Sequence, residues 1–219
     1  MRPLFILNSR LELCASLVRK GVRIADIGTD HAYLPVWLVR AGIASFALAC
    51  DIKAEPLKAG EQNIRKYHAE NLVETRLCDG LRSVKSDEVD DIIIAGMGGE
   101  TIVHILSDSP WIKDKNKSLI LQPMSKHELV ISYLYENGFE LKEHKCTFAD
   151  GKIYTAFSAF YTGNAKPCSE LFSYTGLLTK GNENGLKFLA SVINHLEKKS
   201  HSDPHFGEIA KEIKERFSL

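Results

Sequence analysis

The sequence predicts an α/β protein built on a doubly wound, mostly parallel seven-stranded sheet, with a terminal antiparallel hairpin and a small C-terminal helical appendage. Three observations predict it. Runs such as Ile92-Ile93-Ile94-Ala95 and Phe46-Ala47-Leu48-Ala49-Cys50 are continuously apolar, the pattern of strands covered on both faces rather than one. Segments with apolar residues at helical spacing lie between these runs, as crossover helices do. Near residue 150, two strand-like stretches flank Asp150-Gly151, the chemistry of a tight hairpin turn.

The elements follow in order. Ser9 with Glu12 three residues on forms a capping box ahead of Leu11, Cys14, Ala15 and Val18, predicting a helix from Arg10 to Lys20 that Gly21 stops. Val22 to Ile27 is the first strand, closed by Gly28. Leu34 to Ala41 is a helix with Pro35 in its first turn. Phe46 to Ile52 is the second strand, Pro56 to His68 a helix, and Thr75 to Cys78 a third, weaker strand ended by Asp79-Gly80. Asp90 to Ala95 is the clearest strand, followed by Gly96-Met97-Gly98-Gly99 and a short helix from Glu100 to Leu106. Ser118 to Gln122 is a fifth strand that Pro123 should break. Ser125 to Asn137 is a helix with Gly138 past its end. Phe139 to Phe148 and Ile153 to Tyr161 make the hairpin.

Composition shifts at Thr162 to Pro167, which reads as a linker and divides the chain into a ligand-binding domain over residues 1–161 and a helical region over 168–219. In the tail, Leu186, Leu189, Ala190, Ile193 and Leu196 repeat at helical spacing. After the breaker His201-Ser202-Asp203-Pro204, Ile209, Ile213 and Phe217 do the same. A helical pair of about 35 residues is too small to hold itself together and should pack on the main domain or a partner.

The chain has 219 residues, 44% hydrophobic and 26% charged, an ordinary globular mix that excludes disordered and fibrous classes. Lys and Arg balance Asp and Glu at 28 each, so no overall field draws the chain onto nucleic acid or an anionic membrane. No apolar run approaches the roughly 18 residues of a membrane span, and Met1 to Arg10 lacks the pattern of a signal peptide. The five scattered cysteines, without a CxxC, read as reduced thiols of a cytoplasmic protein. No HExxH or Cys/His spacing points to a metal site, and no Walker A points to ATP hydrolysis.

In a doubly wound sheet, ligands bind at the carboxyl ends of the strands. Here those ends carry Asp26 to His31, Asp51, Asp79-Gly80, Gly96 to Gly99 and Gln122-Pro123. A dinucleotide fingerprint needs three glycines in the first turn, so that backbone can approach a pyrophosphate. This turn has one, Gly28, between Asp26 and Asp30, and two carboxylates repel a pyrophosphate. A cofactor with a sulfonium and an ammonium, S-adenosyl-L-methionine, suits that acidic mouth. Asp51 stands where an acid accepts both ribose hydroxyls, and Asp79 where one accepts from an adenine amine. Each acid taken alone also reads as a helix cap or a solvated turn.

The stretch Asp26-Ile27-Gly28-Thr29-Asp30-His31-Ala32-Tyr33-Leu34-Pro35 resembles the first motif of class I S-adenosylmethionine-dependent methyltransferases. It is similar, more narrowly, to the bacterial family that methylates N1 of the adenine at tRNA position 22. Ile94-Ala95-Gly96-Met97-Gly98-Gly99 and Leu119-Ile120-Leu121-Gln122-Pro123-Met124 resemble that family's fourth- and fifth-strand motifs. The likeness runs from Ser9 to Tyr161 and loosely into the tail. It implies a Rossmann-like fold, S-adenosyl-L-methionine as cofactor and tRNA as substrate, with neither membrane nor metal; a monomer is compatible with it. The implied cofactor-binding set is Asp26, Gly28, Thr29, Asp51, Ile52, Asp79, Gly80, Ala95, Gly96, Met97 and Gly98.

Two departures stand out. Ala32 occupies a position where many methyltransferases have a second glycine, and Gly96-Met97-Gly98-Gly99 replaces the Asn-Pro-Pro-Tyr that other base N-methyltransferases use to grip an exocyclic amine. A ring nitrogen fits a site without that grip. Asp30 is then the expected catalytic carboxylate, with His31 and Tyr33 positioning the base and Gln122 bonding its edge. His31 reads alternatively as a cap, Tyr33 as a core aromatic, and Gln122 as a satisfied turn amide.

Candidate phosphate contacts are Arg2, Arg10, Arg19, Lys20 and Arg23 near the start, Lys113, Lys115 and Lys117 in a loop, and Lys198, Lys199, Lys211, Lys214 and Arg216 in the tail. Three other readings stay open: a methyltransferase of a different substrate, a nicotinamide-dependent oxidoreductase, which the missing GxGxxG disfavours, and a non-catalytic RNA- or partner-binding module on the same fold.

Overall fold

The computed structural model of the protein describes residues 3–149 and 151–219. Arg2 of the expected N-terminal basic group and Asp150 of the expected hairpin turn lie outside the described residues. In chain order the elements are α1 (Ser9–Ala15), β1 (Arg23–Ile27), α2 (Tyr33–Arg40), β2 (Phe46–Asp51), α3 (Ala54–Lys66), β3 (Val73–Leu77), β4 (Asp91–Gly98) and α4 (Gly99–Ser107). A short 3₁₀ turn, Pro110–Ile112, precedes β5 (Ser118–Ser125), α5 (His127–Glu136), β6 (Phe139–Ala149), β7 (Lys152–Tyr161), α6 (Glu170–Thr175), α7 (Glu183–Ser200) and α8 (His205–Phe217).

One seven-stranded sheet has the order β3-β2-β1-β4-β5-β7-β6. The first five strands pair in parallel, and β7 runs antiparallel to both β5 and β6. The order reverses between β1 and β4, so β1, β2 and β4 deliver their carboxyl ends to one crevice. Ile92 and Ile94 pack with Leu119 and Leu121 on one face of the sheet, while Ile24, Ile93 and Ile120 pack with Leu34, Val36 and Leu38 on the other. Burying each such side chain stabilises the fold by about 1.5–3 kcal/mol, which is why the continuously apolar runs occupy the middle of the sheet.

Three local expectations are corrected. The helix α1 is capped by Asn8, whose side chain accepts from the Leu11 amide, rather than by Ser9, and it stops at Ala15 instead of running to Lys20. Strand β5 continues through Pro123 to Ser125. Pro123 pairs opposite Met97 at a register shift, beyond the last β7 partner of β5 (Leu121 opposite Phe157), so its missing N–H interrupts no regular antiparallel ladder there. The tail holds a short extra helix, α6, capped by the Ser169 side chain, that hydropathy did not single out.

The tail docks on the outer strands of the sheet. Its core of Phe188, Leu189, Ile193, Ile209 and Ile213 also includes Cys146 of β6, with Ile153 of β7 packed against it. His127 Nε2 lies 3.0 Å from the Tyr174 carbonyl oxygen, with its ring against Phe188. Burial pushes the His127 and His144 imidazoles down, His144 to about 3, so this junction holds neutral rings.

Candidate functional site

Strand β1 delivers Asp26 and then a loop fastened to β2. The Gly28 and Thr29 amides both donate to the Cys50 carbonyl, at 2.9 and 2.8 Å. Gly28 takes φ +74°, which glycine adopts without steric cost, and a Cβ there would lie 2.2 Å from Met97 Cε. The Met97 methyl group therefore rests directly over bare backbone. The next turn is strained: His31 and Ala32 are both left-handed, at φ 57° and 53°. The Asn63 side chain holds it by donating to the His31 carbonyl at 2.9 Å, and Gly60 of α3 leaves room for the buried Ala32. Ala32, at the position where many methyltransferases have a second glycine, thus adopts a conformation that favours glycine.

Asp26 is 6% exposed. Burial pushes its carboxyl up to about 6, against the lowering pull of the Thr29 hydroxyl and the Arg10 charge, while Asp51 and Asp30 add to the rise. Asp51 ends β2 with Oδ1 accepting from the Lys53 amide at 2.8 Å; Oδ2 has no hydrogen bond among the described residues. Beside it, the side chains of Ile52 and Leu77 are 62% and 60% exposed, apolar surface at the mouth of the crevice. Asp79 Oδ2 accepts from Arg82 Nη1 at 2.6 Å, and Arg82 also reaches Asp108. Gly80 turns beside it at φ +58°, close against Ile105.

Gly96 and Gln122 meet at the ends of β4 and β5. Gln122 is 1% exposed, and its Oε1 accepts from the Gly96 amide at 3.0 Å and from Arg10 Nη1 at 3.1 Å. Its Nε2 donates to the Pro123 carbonyl and reaches Met124 Sδ. With carbonyl and amine both engaged inside the protein, Gln122 stands as a brace between two strands and α1. Gly99 lets the chain pass the Lys126 carbonyl, which a Cβ would meet at 2.2 Å. Ala95 is half-buried, and Gly98 opens α4 as its N-cap.

Asp30, His31 and Tyr33 come together at the open side. The Asp30 side chain is 78% exposed, with Oδ1 3.2 Å from His31 Nε2. The His31 and Tyr33 rings lie nearly parallel, 5.9 Å apart at 19°, and Phe5 meets Tyr33 edge-on at 5.4 Å. Asp30 does not cap α2: the N-cap is Ala32, and no side chain bonds that terminus. Phe5 and Arg10 were not singled out for this site; the contacts that recruit them span 28 and 112 residues of chain and leave no local spacing signal.

Of the expected N-terminal basic group, Lys20 is exposed and three other members are held by partners within the fold. Arg19 pairs with buried Asp91, Arg23 with Asp90, and Arg10 turns into the crevice, because each meets a carboxylate or amide brought up by β4 or β5. In the tail, Lys211 and Lys214 pair with Glu215 and Glu197. All five cysteines are free thiols. Among the described residues no helix is long and apolar enough to cross a membrane, and no His, Cys, Asp and Glu group could hold a metal ion.

These residues fit S-adenosylmethionine. The Gly28–Met97 contact brings the ends of β1 and β4 together, with the Met97 thioether as an apolar surface over the glycine. Asp26 is a buried carboxylate of the kind an ammonium needs, Asp51 Oδ2 is a free acceptor of the kind hydroxyls need, and Ile52 and Met97 are apolar surface of the kind an adenine ring needs.

Comparisons with known proteins give the family. A family model described as Methyltransferase domain matches residues 7–157. The chain is 36% identical over 156 residues to tRNA (adenine(22)-N(1))-methyltransferase of Bacillus subtilis, covering 70% of this chain and 64% of that protein's length. Streptococcus pneumoniae Sp1610, solved with S-adenosyl-L-methionine, is 27% identical with a TM-score of 0.86, covering 97% of this chain and all (100%) of that one. TrmK of M. capricolum, solved with S-adenosyl-homocysteine, is 26% identical with a TM-score of 0.78, covering 96% of each chain.

Proposed function

The chain belongs to the methyltransferase-domain family, and on that premise we propose that it is an S-adenosylmethionine-dependent methyltransferase acting on N1 of the adenine at position 22 of tRNA. The observation that carries this reading is the convergence of Asp26, Gly28, Asp51 and Met97 on one crevice beside an exposed Asp30–His31–Tyr33 turn.

When bound, S-adenosylmethionine supplies an electrophilic methyl group on a sulfonium. Asp51 would hold its ribose hydroxyls, and Ile52, Met97 and the Asp79-Gly80 turn would receive its adenine. Ionised Asp26 faces the ammonium, and Gly28, Thr29, Ala95, Gly96 and Gly98 provide backbone that the ligand approaches closely. Arg10 and Gln122 tie α1 and the ends of β4 and β5 together beside it.

Adenine N1 is a lone-pair nucleophile without a proton at neutral pH, so no general base is needed there. The residues must place it in line, an orientation effect worth several kcal/mol. His31 and Tyr33 offer a nearly parallel pair of rings against which a base can be positioned, and Phe5 supports that pair. Asp30 accepts from the exocyclic amine and stabilises the positive charge that grows on the ring. The tail, docked beside the same end of the sheet, supplies surface to the RNA. Incubation with unmodified tRNA and methyl-labelled S-adenosylmethionine tests the reading: label enters RNA if it holds, and stays in the cofactor if it fails.

A further inference from the structure

A second cavity lies at the opposite pole of the sheet. It has a volume of about 310 Å³ and is lined by Arg19, Lys115, Lys117, Ser118, Lys142 and Phe160. Ser118 opens β5, whereas Gln122 at the methyl-transfer crevice lies toward its other end, so the two sites are separated along the strands. Four of the six lining residues are cations and none is an acid.

The cations are of two kinds. Arg19 and Lys117 are fixed. Arg19 is held through Nε and Nη2 by Asp91 and by the Asp90 and Asn116 carbonyls. Lys117 is 7% exposed and donates to the Ser86 and Val89 carbonyls. Lys115 and Lys142 have no ion-pair or hydrogen-bond partner among the described residues. Of the nearby carboxylates, Asp90 pairs with Arg23, Asp91 with Arg19 and Glu140 with Lys166, while Asp114 accepts from the Asn116 amide.

Lys115 and Lys142 converge beside Arg19 and Lys117 without a carboxylate partner of their own, and a bound anion relieves the repulsion among these cations. The volume falls at the lower end of small-ligand pockets, roughly 300–1,000 Å³. We infer that this cavity binds the phosphate groups of a polyanion, with Arg19 and Lys117 as a preset floor and Lys115 and Lys142 as arms that close on it. Those phosphates belong either to the backbone of the RNA substrate, a source that rests on the proposed function, or to a free oligophosphate.

The test uses the full-length protein and a Lys115→Ser/Lys142→Ser variant, both residues being exposed and outside the methyl-transfer crevice. Calorimetry with inorganic tripolyphosphate and tRNA binding over a range of salt are measured for both. Tripolyphosphate should bind the wild type at least about tenfold more tightly than the variant, with matching melting temperatures in its absence. If the RNA backbone is the source, the slope of log affinity against log salt also falls by about 2 in the variant, roughly one for each phosphate that a lysine no longer neutralises. If a free oligophosphate is the source, tripolyphosphate affinity falls and the tRNA slope stays unchanged. Unchanged tripolyphosphate affinity together with an unchanged slope, or no tripolyphosphate binding with an unchanged slope, overturns the inference. A wild type that binds tripolyphosphate through Lys115 and Lys142 but no tRNA would overturn the proposed function and leave this site standing.

Discussion

Arg10 donates from Nη1 to Gln122 Oε1 at 3.1 Å across 112 residues of chain. The bond ties α1 to the end of β5, and the same oxygen accepts from the Gly96 amide, so one buried amide sets the spacing of β4, β5 and the first helix. Replacing it leaves the Gly96 N–H and the guanidinium without their acceptor. Gln122→Leu should lower unfolding free energy by about 1–3 kcal/mol and weaken S-adenosylmethionine binding, read by denaturant melts and calorimetry. A variant with wild-type stability and cofactor affinity would show that the brace is dispensable.

Asp26 gives the site a pH dependence. Its carboxyl is raised from 3.8 to about 6 in the folded protein, so between about pH 4 and 6 the folded state binds more protons than the unfolded one. Its contribution to stability is therefore most favourable below pH 4 and is lost as pH rises through 6. Asp26→Asn should remove this dependence and stabilise the protein at pH 7 by an amount on the order of 2 kcal/mol, less the changed influence of the neighbouring Thr29 hydroxyl. Cofactor affinity should show the opposite trend, strengthening as pH rises through 6 because the ammonium needs the ionised carboxylate. Denaturant melts and titration calorimetry from pH 5 to 8 measure the two arms, and a flat affinity profile would remove Asp26 from the ammonium site.

Asp30 separates chemistry from stability. Its side chain is exposed and makes no cap, so Asp30→Asn should change stability by less than about 0.5 kcal/mol. Single-turnover methylation should fall by roughly 10²–10⁴, the range for losing one electrostatic group, while cofactor affinity moves less than about tenfold. Near-normal single-turnover rates would leave Asp30 as a surface residue.

Arg19 and Asp91 form a pair whose acid is fully buried at the start of β4. Arg19→Met should cost about 3–5 kcal/mol because it leaves that buried carboxylate without its cation, held by the residue 19 backbone amide alone, whereas Lys20, which is exposed, should tolerate alanine with little change. Thermal melts of the two single variants decide it; equal melting temperatures would mean that Asp91 finds another partner.

The parts of this protein legible in the sequence are those written locally. The continuous apolar strands were readable because burial on both faces removes alternation, and the acid and glycine turns because strand ends in this topology are where ligands bind. Asn8 was passed over because Ser9 and Glu12 satisfied the capping pattern one residue later. Pro123 was read as a breaker because a bulge opposite Met97 is not a sequence feature. The roles of Arg10, Arg19 and Gln122 depend on partners tens of residues away: their charges and amide were visible, but not which groups the fold would bring to meet them. Phe5 behind Tyr33 was invisible for the same reason.

The central claim is the atom and nucleotide that receive the methyl group. The most direct test incubates the protein and S-adenosylmethionine with an unmodified tRNA transcript and with the same transcript carrying guanosine at position 22, followed by nuclease digestion and nucleoside mass spectrometry. The account predicts 1-methyladenosine in the first transcript, mapped to position 22, and none in the second. Methylation of the second transcript, or a methyl group on a different atom or position of the first, would contradict it.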